Sequence, residues 1–236
     1  ATAKGYQGGQ VSGLTDGQGP GGGLTGDPGG GGGYGGEGAD KAAGGKSGAY
    51  GQTYGADLYP TGPGSGGGRG DIRAGTGNGG GSVWIDAAGA VLVNGVIRAN
   101  GGSATTGHSG AGSGGAIYLY AGSLSGSGVL EAKGGTGDWT AGGGGGGRIH
   151  VVMGVGSELA YTVAGGARGT QLTAWPLGSN GTYRISTVSP DVTVRGLPVS
   201  HGSPTPYPTG VSAIPLGTWV TNSVSSPADT AAGQRF

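Results

Sequence analysis

The stretch GSVWIDAAGAVLVNGVIRANGG, residues 81–102, decides how this chain is read. It is apolar and strand-like and closes on paired glycines, inside a chain of 236 residues of which 67 are glycine. It also recurs. GGAIYLYAGSLSGSGVLEAKGG, residues 114–135, begins 33 positions later (114 − 81). Val83-Trp84-Ile85 aligns with Ile117-Tyr118-Leu119, and Val96-Ile97-Arg98-Ala99 aligns with Val129-Leu130-Glu131-Ala132. A weaker third copy is Arg148-Ile149-His150-Val151-Val152 followed by Leu159-Ala160-Tyr161-Thr162-Val163-Ala164-Gly165-Gly166. Asp71-Ile72-Arg73-Ala74-Gly75 is a partial earlier copy.

Helical repeats of similar period exist, but these copies alternate with period two and carry β-branched and aromatic residues, which specifies strands. We expect two or three strands of four to six residues per copy. With the glycine-rich insertion removed, each copy is about 20 residues, the length of one coil of a parallel β-helix. Stacked coils place Ile72 and Ala74, Ile97 and Ala99, Leu130 and Ala132, and Tyr161 and Val163 on one inward ladder. Val83 and Ile85, Ile117 and Leu119, and Ile149 and Val151 form the other. The same alternation turns Trp84, Tyr118 and His150 outward in register. Arg73, Arg98, Glu131 and Thr162 form a further outer ladder, where an Arg98–Glu131 pair would contribute about 0.2–1 kcal/mol.

Composition narrows the alternatives. Twelve basic and twelve acidic residues give a formal net charge of zero, so no basic surface for nucleic acid or an anionic membrane is built. Glycine costs about 1 kcal/mol in a helix interior, which disfavours long helices. Collagen is excluded because glycine follows no strict three-residue period. With no cysteine there is no disulfide framework and no thiol nucleophile. No apolar run reaches the roughly 20 residues of a membrane helix. The start at Ala1 and the stop at Gln234-Arg235-Phe236 lead us to expect a processed or excised piece of a longer protein.

The expected fold is therefore all-β: a short parallel β-helix with long glycine-rich insertions, followed by a partial β-module. Residues 1–70 form a glycine- and tyrosine-rich capping or insertion region, 71–170 the coils with their glycine-rich loops, and 171–236 the exit or cap strands and the start of a further β-module. Composition alone reads the glycine tracts, such as 142–147, as flexible linker. Against that, Tyr6, Tyr34, Tyr50, Tyr54 and Tyr59 punctuate the first tract, and the later tracts interrupt strands rather than follow a domain. Glycine also forms extended threefold helices that bundle through backbone hydrogen bonds, although ordering it is entropically costly.

Ala49-Tyr50-Gly51, Pro63-Gly64-Ser65-Gly66-Gly67-Gly68, Gly80-Gly81-Ser82-Val83-Trp84-Ile85, Ile97-Arg98-Ala99-Asn100-Gly101-Gly102 and the six glycines before Arg148-Ile149 together carry a resemblance. This pattern resembles the glycine-rich parallel β-helix repeat regions of very large bacterial secreted and cell-surface proteins of the autotransporter or adhesin kind. It covers roughly residues 30–236, and the tail from Gly217-Thr218-Trp219-Val220-Thr221 to Phe236 is similar to linkers between their modules. The resemblance implies export, a surface location and a structural role, stalk or adhesin scaffold, and it transfers no catalytic residue. The tyrosine-bearing first tract leaves open a glycine-rich tip domain such as phage adhesins use. Implied partners are neighbouring modules of the same chain, a glycan or cell-surface ligand, and further copies of the chain.

Chemistry is sparse. Glycoside hydrolysis needs two carboxylates about 5–9.5 Å apart. Asp86 is the one carboxylate on the aromatic ladder, with Tyr120 and Val152 as its counterparts. Asp138 could approach Asp86 or His108 only through the fold. We expect no enzyme and no cofactor. His108, His150 and His201 are isolated, while Asp16, Asp27, Glu37 and Asp40 in glycine-rich loops are candidates for a structural calcium. The glycine runs lack the Lys-Ser or Lys-Thr of a nucleotide loop, and Arg69-Gly70-Asp71 is a tripeptide that chance readily supplies. Candidate ligand-binding residues are Trp84, Tyr118, Trp139 and His150. The first, second and fourth form a strip with one-coil spacing of about 4.8 Å, suited to stacking sugars unless an insertion covers it as a second small core. Trp139, in the loop between coils, is the expected exposed aromatic.

Overall fold

The computed structural model describes residues 2–10, 16–39, 50–70, 75–169 and 177–188. Within these, eight strands form two sheets. The strands are β1 (Thr2–Ala3), β2 (Ser82–Leu92), β3 (Val96–Arg98), β4 (Ala116–Ser125), β5 (Val129–Glu131), β6 (Arg148–Gly156), β7 (Ala160–Thr162) and β8 (Thr182–Thr187). One sheet has the order β1-β2-β4-β6-β8 and the other β3-β5-β7. All pairings are parallel except β1 with β2, which caps Ser82 and Val83 antiparallel. A chain that runs long strand, turn, short strand, then returns to begin again in parallel is a β-solenoid, here about three turns long.

The registers follow the sequence alternation. Val83, Ile117, Ile149 and Tyr183 stack in one row, and Ile85, Leu119, Val151 and Ile185 in the next. Opposite them lie Ile97, Leu130 and Tyr161. Ile117, Leu119, Ile149, Val151, Leu130, Ala99 and Ala132 are buried together, with Val83, Ile85, Ile97, Val163 and Tyr183 packed around them. Ala99 and Ala132 suit an interior this thin. Tyr161 departs from the inward expectation. It keeps register with Leu130, but its ring is 45% exposed and stacks on Tyr183 with centroids 3.5 Å apart. Ile72, Arg73 and Ala74 lie outside the described residues, as do Asp191–Arg195, the proline-rich passage and Thr218–Thr221.

Strand lengths also depart from expectation. β2, β4 and β6 run 11, 10 and 9 residues, whereas β3, β5 and β7 have three each. The long strands pass through Gly89, Gly122 and Gly154, which read locally as turn signals but lie inside the ladder. β2 absorbs one irregularity there, between Ala87 and Ala90, where an extra residue bends the strand. The chain turns at Gly126, just after β4, and at Gly156, the last residue of β6, whose φ values of 124° and 136° exclude most side chains. Side chains of one coil also cap backbone of the next. Asn94 Oδ1 accepts from Ser127 N at 3.3 Å, and Asn100 Oδ1 from Lys133 N at 2.8 Å.

The return segments are held by a different pattern. Along residues 110–115 the amide donors rotate through three neighbours. Gly110 and Ser113 donate to Gly68 O and Ser65 O, Ala111 and Gly114 to Gly142 O and Gly145 O, and Gly112 and Gly115 to Gly102 O and Ala99 O. Residues 142–147 repeat it: Gly142 and Gly145 donate to Gly29 O and Gly32 O, and Gly144 and Gly147 to Gly135 O and Ala132 O. Each such segment thus bonds laterally in three directions, one residue in three toward each neighbour. The first tract, through residues 16–23, 29–39 and 64–68, supplies outer members of this array.

Backbones this close leave no room for a Cβ. One added at Gly112 would lie 2.0 Å from Asn78 O, and one at Gly144 would lie 2.0 Å from Gly112 O. By contrast nothing lies within 4 Å of a Cβ at Gly89. Gly144→Ala is therefore expected to lower stability by about 1–3 kcal/mol or more through overpacking. Gly89→Ala should stay within about 0.5 kcal/mol of the parent. Urea denaturation of both variants checks the contrast, and equal effects would contradict the close-packed array.

Candidate functional site

Among the described residues, three groups of side chains could carry chemistry. The first is the outer ladder of β2, β4 and β6. Trp84, Tyr118 and His150 occupy one register row, followed by Arg184. Trp84 stacks on Tyr118 with centroids 4.0 Å apart and planes 20° from parallel, and His150 meets Tyr118 edge-on at 5.6 Å. Tyr118 is wholly buried and His150 is 3% exposed. Tyr59 lies 5.9 Å from the Tyr118 ring, and the row packs with Tyr120, Val152 and Val188 as a second small core. Trp84 remains half-buried. A ligand for this row would have to displace the segment carrying Leu58 and Tyr59.

His150 has both ring nitrogens engaged. Nδ1 contacts the Leu58 carbonyl oxygen and Nε2 lies 2.9 Å from Ser186 Oγ. A carbonyl can only accept, so Nδ1 carries the proton and Nε2 accepts from the Ser186 hydroxyl. Burial depresses the His150 pKa below its ordinary 6.5, opposed by the Leu58 carbonyl and assisted by Arg184. Ser186 therefore faces a neutral imidazole as a nucleophile faces its base. The third partner here is a backbone carbonyl, however, and Asp57 is engaged by Arg148 and Arg184.

The second group surrounds Arg148, whose side chain is buried at the start of β6. Its Nε and Nη2 donate to Tyr54 O at 3.0 and 2.9 Å, and its Nη1 donates to Thr182 Oγ1 at 3.1 Å. Asp57 completes an ion pair with it, and the guanidinium sits 5.4 Å over the Tyr34 ring. Tyr34 packs on Tyr54 at 4.8 Å, and burial pushes the Tyr34 hydroxyl pKa up to about 12. This cluster ties the first glycine tract to the third coil. No local signal in the sequence marks it, because Arg148 and Tyr54 are 94 residues apart and Thr182, whose hydroxyl donates to Asp57 Oδ1 at 3.1 Å, lies 125 residues from it.

The third group lies where loops 24–28, 103–109 and 136–141 meet. Asp27 Oδ1 is 3.3 Å from His108 Nδ1, and Thr140 Oγ1 is 3.5 Å from the same nitrogen. His108 N donates to Asp138 Oδ2 at 3.3 Å, so the approach of Asp138 to His108 is realised. Trp139 stacks on the His108 ring at 5.3 Å, 19° from parallel, and is 51% exposed. Both residues have left-handed backbones, φ 51° for His108 and 52° for Trp139, a conformation that costs a side-chain-bearing residue about 1–2 kcal/mol. The turn is closed by Ala141 N donating to Asp138 O at 2.8 Å and anchored by Asp138 N donating to Ser109 O at 3.1 Å.

The acidic loop residues do not gather. Asp16 Oδ1 accepts from Thr25 N at 2.7 Å, Asp27 faces His108, and Asp40 lies outside the described residues, as do Asp71 and His201. Among the described residues no three His, Asp or Glu side chains converge as a metal-binding set, and no helix is long and apolar enough to cross a membrane. On the outer face of β3 and β5, Arg98 Nε donates to Glu131 at 2.8 Å. Hydrogen bonds from Arg98 and Asn100 hold the Glu131 carboxyl below its usual range. Comparison with family models, with curated proteins and with solved structures finds no match to this chain.

Two outcomes follow from these environments. A depressed His150 pKa means that the unfolded chain binds the proton more tightly. Its stabilising contribution is thus present above pH 6.5 and is lost as pH falls through the lower folded value. Urea midpoints measured across this range should drop for the parent and drop less for His150→Gln. Arg148→Ala removes the charged donor to the Tyr54 carbonyl and one of the two arginines paired with Asp57, and should cost about 1.5–3 kcal/mol. Arg98→Ala, at a side chain 63% exposed, should cost less than about 1 kcal/mol. Comparable losses at the two arginines would contradict the anchoring role of Arg148.

Proposed function

We propose that the chain is a non-catalytic structural segment of an extracellular or cell-surface protein, a stalk or adhesin scaffold. In this reading the glycine segments are threefold polyglycine helices that thicken a short β-solenoid into a rigid body. The rotation of donors along residues 110–115 carries the proposal, because it makes the glycine-rich part a wall rather than a tether. Two further features support it. The buried Arg148 spends its donors on backbone carbonyls and Thr182, and His150 is held between Leu58 and Ser186. Neighbouring modules of a longer chain and further copies of the same chain are the partners this role calls for, and neither a metal nor an organic cofactor is needed.

The same body can present a carbohydrate or cell-surface ligand site, a reading favoured by Trp139 standing half exposed at the loop end. Trp84, Tyr118 and His150 serve it less well, since Tyr118 and His150 are covered.

The scaffold reading predicts no turnover. Neutral and acidic polysaccharides incubated with the chain should release neither reducing ends nor unsaturated products. Turnover that disappears in His150→Gln or Ser186→Ala would overturn it. Antibody raised against the chain should label intact cells that express the parent protein, and label confined to permeabilised cells would refute the surface location.

A further inference from the structure

We propose that the meeting point of loops 24–28, 103–109 and 136–141 is a binding site for a neutral hexopyranose oligosaccharide, with Trp139 as its stacking platform. This deepens the ligand-site reading above and does not depend on where the chain resides.

Trp139 and His108 come from different coils, yet both adopt left-handed φ, a conformation that histidine enters more readily than most residues but that a residue as bulky as tryptophan avoids. Glycine would relieve it at either position, and glycine is the commonest residue of this chain. Folding alone does not call for a tryptophan there, because half its surface faces solvent. Strain kept at an exposed aromatic pair points to a task outside folding. What the strain achieves is geometric. It lays the indole within 19° of parallel to the imidazole, 5.3 Å away, so that the imidazole backs one indole face while half of the residue stays exposed. Gly169 packs against the backbone of the platform residue, since a Cβ there would lie 2.0 Å from Trp139 O.

The surroundings select the ligand. A pyranose ring presents axial C–H groups to an aromatic face and hydroxyls at its rim. Asp27, whose side chain is 73% exposed, and Asp138 place carboxylate acceptors beside the platform for those hydroxyls. The same carboxylates repel carboxylated or sulfated sugars, which sets the preference for neutral units. An oligomer is favoured over a monosaccharide because an open trough of about 350 Å³ runs across the three coils. It is lined by Asn100, Ser103, Lys133 and Thr136 over glycine backbone, shares Ser103 and Thr136 with the loops that carry His108 and Trp139, and has its one cation, Lys133, paired with Glu131 at 3.5 Å.

Isothermal titration of the full chain with hexamers of glucose in α-1,4 and β-1,4 linkage, of N-acetylglucosamine and of galacturonic acid tests the proposal. Saturable binding to at least one of the three neutral hexamers is expected, with weak binding to the galacturonate hexamer. Trp139→Gly should weaken binding at least tenfold while the melting temperature holds or rises, because the left-handed backbone is relieved. Trp84→Phe should change affinity less than twofold. Absence of saturable binding to every neutral hexamer, binding to the acidic hexamer alone, or unchanged affinity in Trp139→Gly would overturn it. A sharp fall in melting temperature in Trp139→Gly would do the same, by showing that the indole is needed for the fold.

Discussion

Backbones in contact are the constraint from which this structure follows. Where Gly112 passes Asn78, and Gly144 passes Gly112, the distance to a hypothetical Cβ is about one bond length too short for any side chain. The amides that approach so closely then share hydrogen bonds in three directions. Each bond contributes only about 0.5–1.5 kcal/mol net, and each ordered glycine opposes folding by more backbone entropy than any other residue. The array is favourable because nearly every residue of a segment is bonded and because it shields a hydrophobic core too thin to stand alone. An isolated glycine run has neither advantage, which is why composition alone reads as linker.

The solenoid and the glycine array depend on one another. Ile117, Leu119, Ile149 and Val151 face Leu130 and Ala132 across a single layer of side chains, and such a layer over three coils supplies limited burial. The glycine segments extend the body on one side, and the Arg148–Asp57–Tyr54 cluster pins the first tract to the third coil. Tyr59 and Leu58, carried by that tract, close over the outer aromatic row. Trp84, Tyr118 and His150 thereby pass from a surface strip to a second core with one polar, acid-sensitive member.

Much of this was legible in the sequence. The 33-residue spacing of Arg98 and Glu131 sets Ile97 beside Leu130, the matching apolar triplets set Trp84 beside Tyr118 at a spacing of 34 (118 − 84), and both registers are present. The lengths of β2, β4 and β6 were not legible, because Gly89, Gly122 and Gly154 look like turns and only the neighbouring coil keeps them extended. Tyr161 was misplaced for a related reason: alternation assigns a face, but whether that face is covered depends on what lies over the last coil. At the loop end, the position of Trp139 between coils marks it as an exposed aromatic, and it is exposed. The approach of its loop to His108 through Asp138 is one of two options open in the sequence, but the stacking of the two rings is not legible, since 31 residues separate them (139 − 108) and neither left-handed backbone has a sequence signal. Arg148 looked like an ordinary strand residue, and its partners lie in a tract whose composition suggests no structure.

Amide hydrogen exchange of the glycines in 110–115 and 142–147, followed residue by residue with NMR, tests the three-way bonded array most directly. If the array is part of the folded body, these amides exchange only through global unfolding and are protected as strongly as those of Ile117 and Leu119 in β4. Exchange at rates typical of an open linker, while β4 stays protected, would contradict it and would leave the solenoid without the wall proposed here.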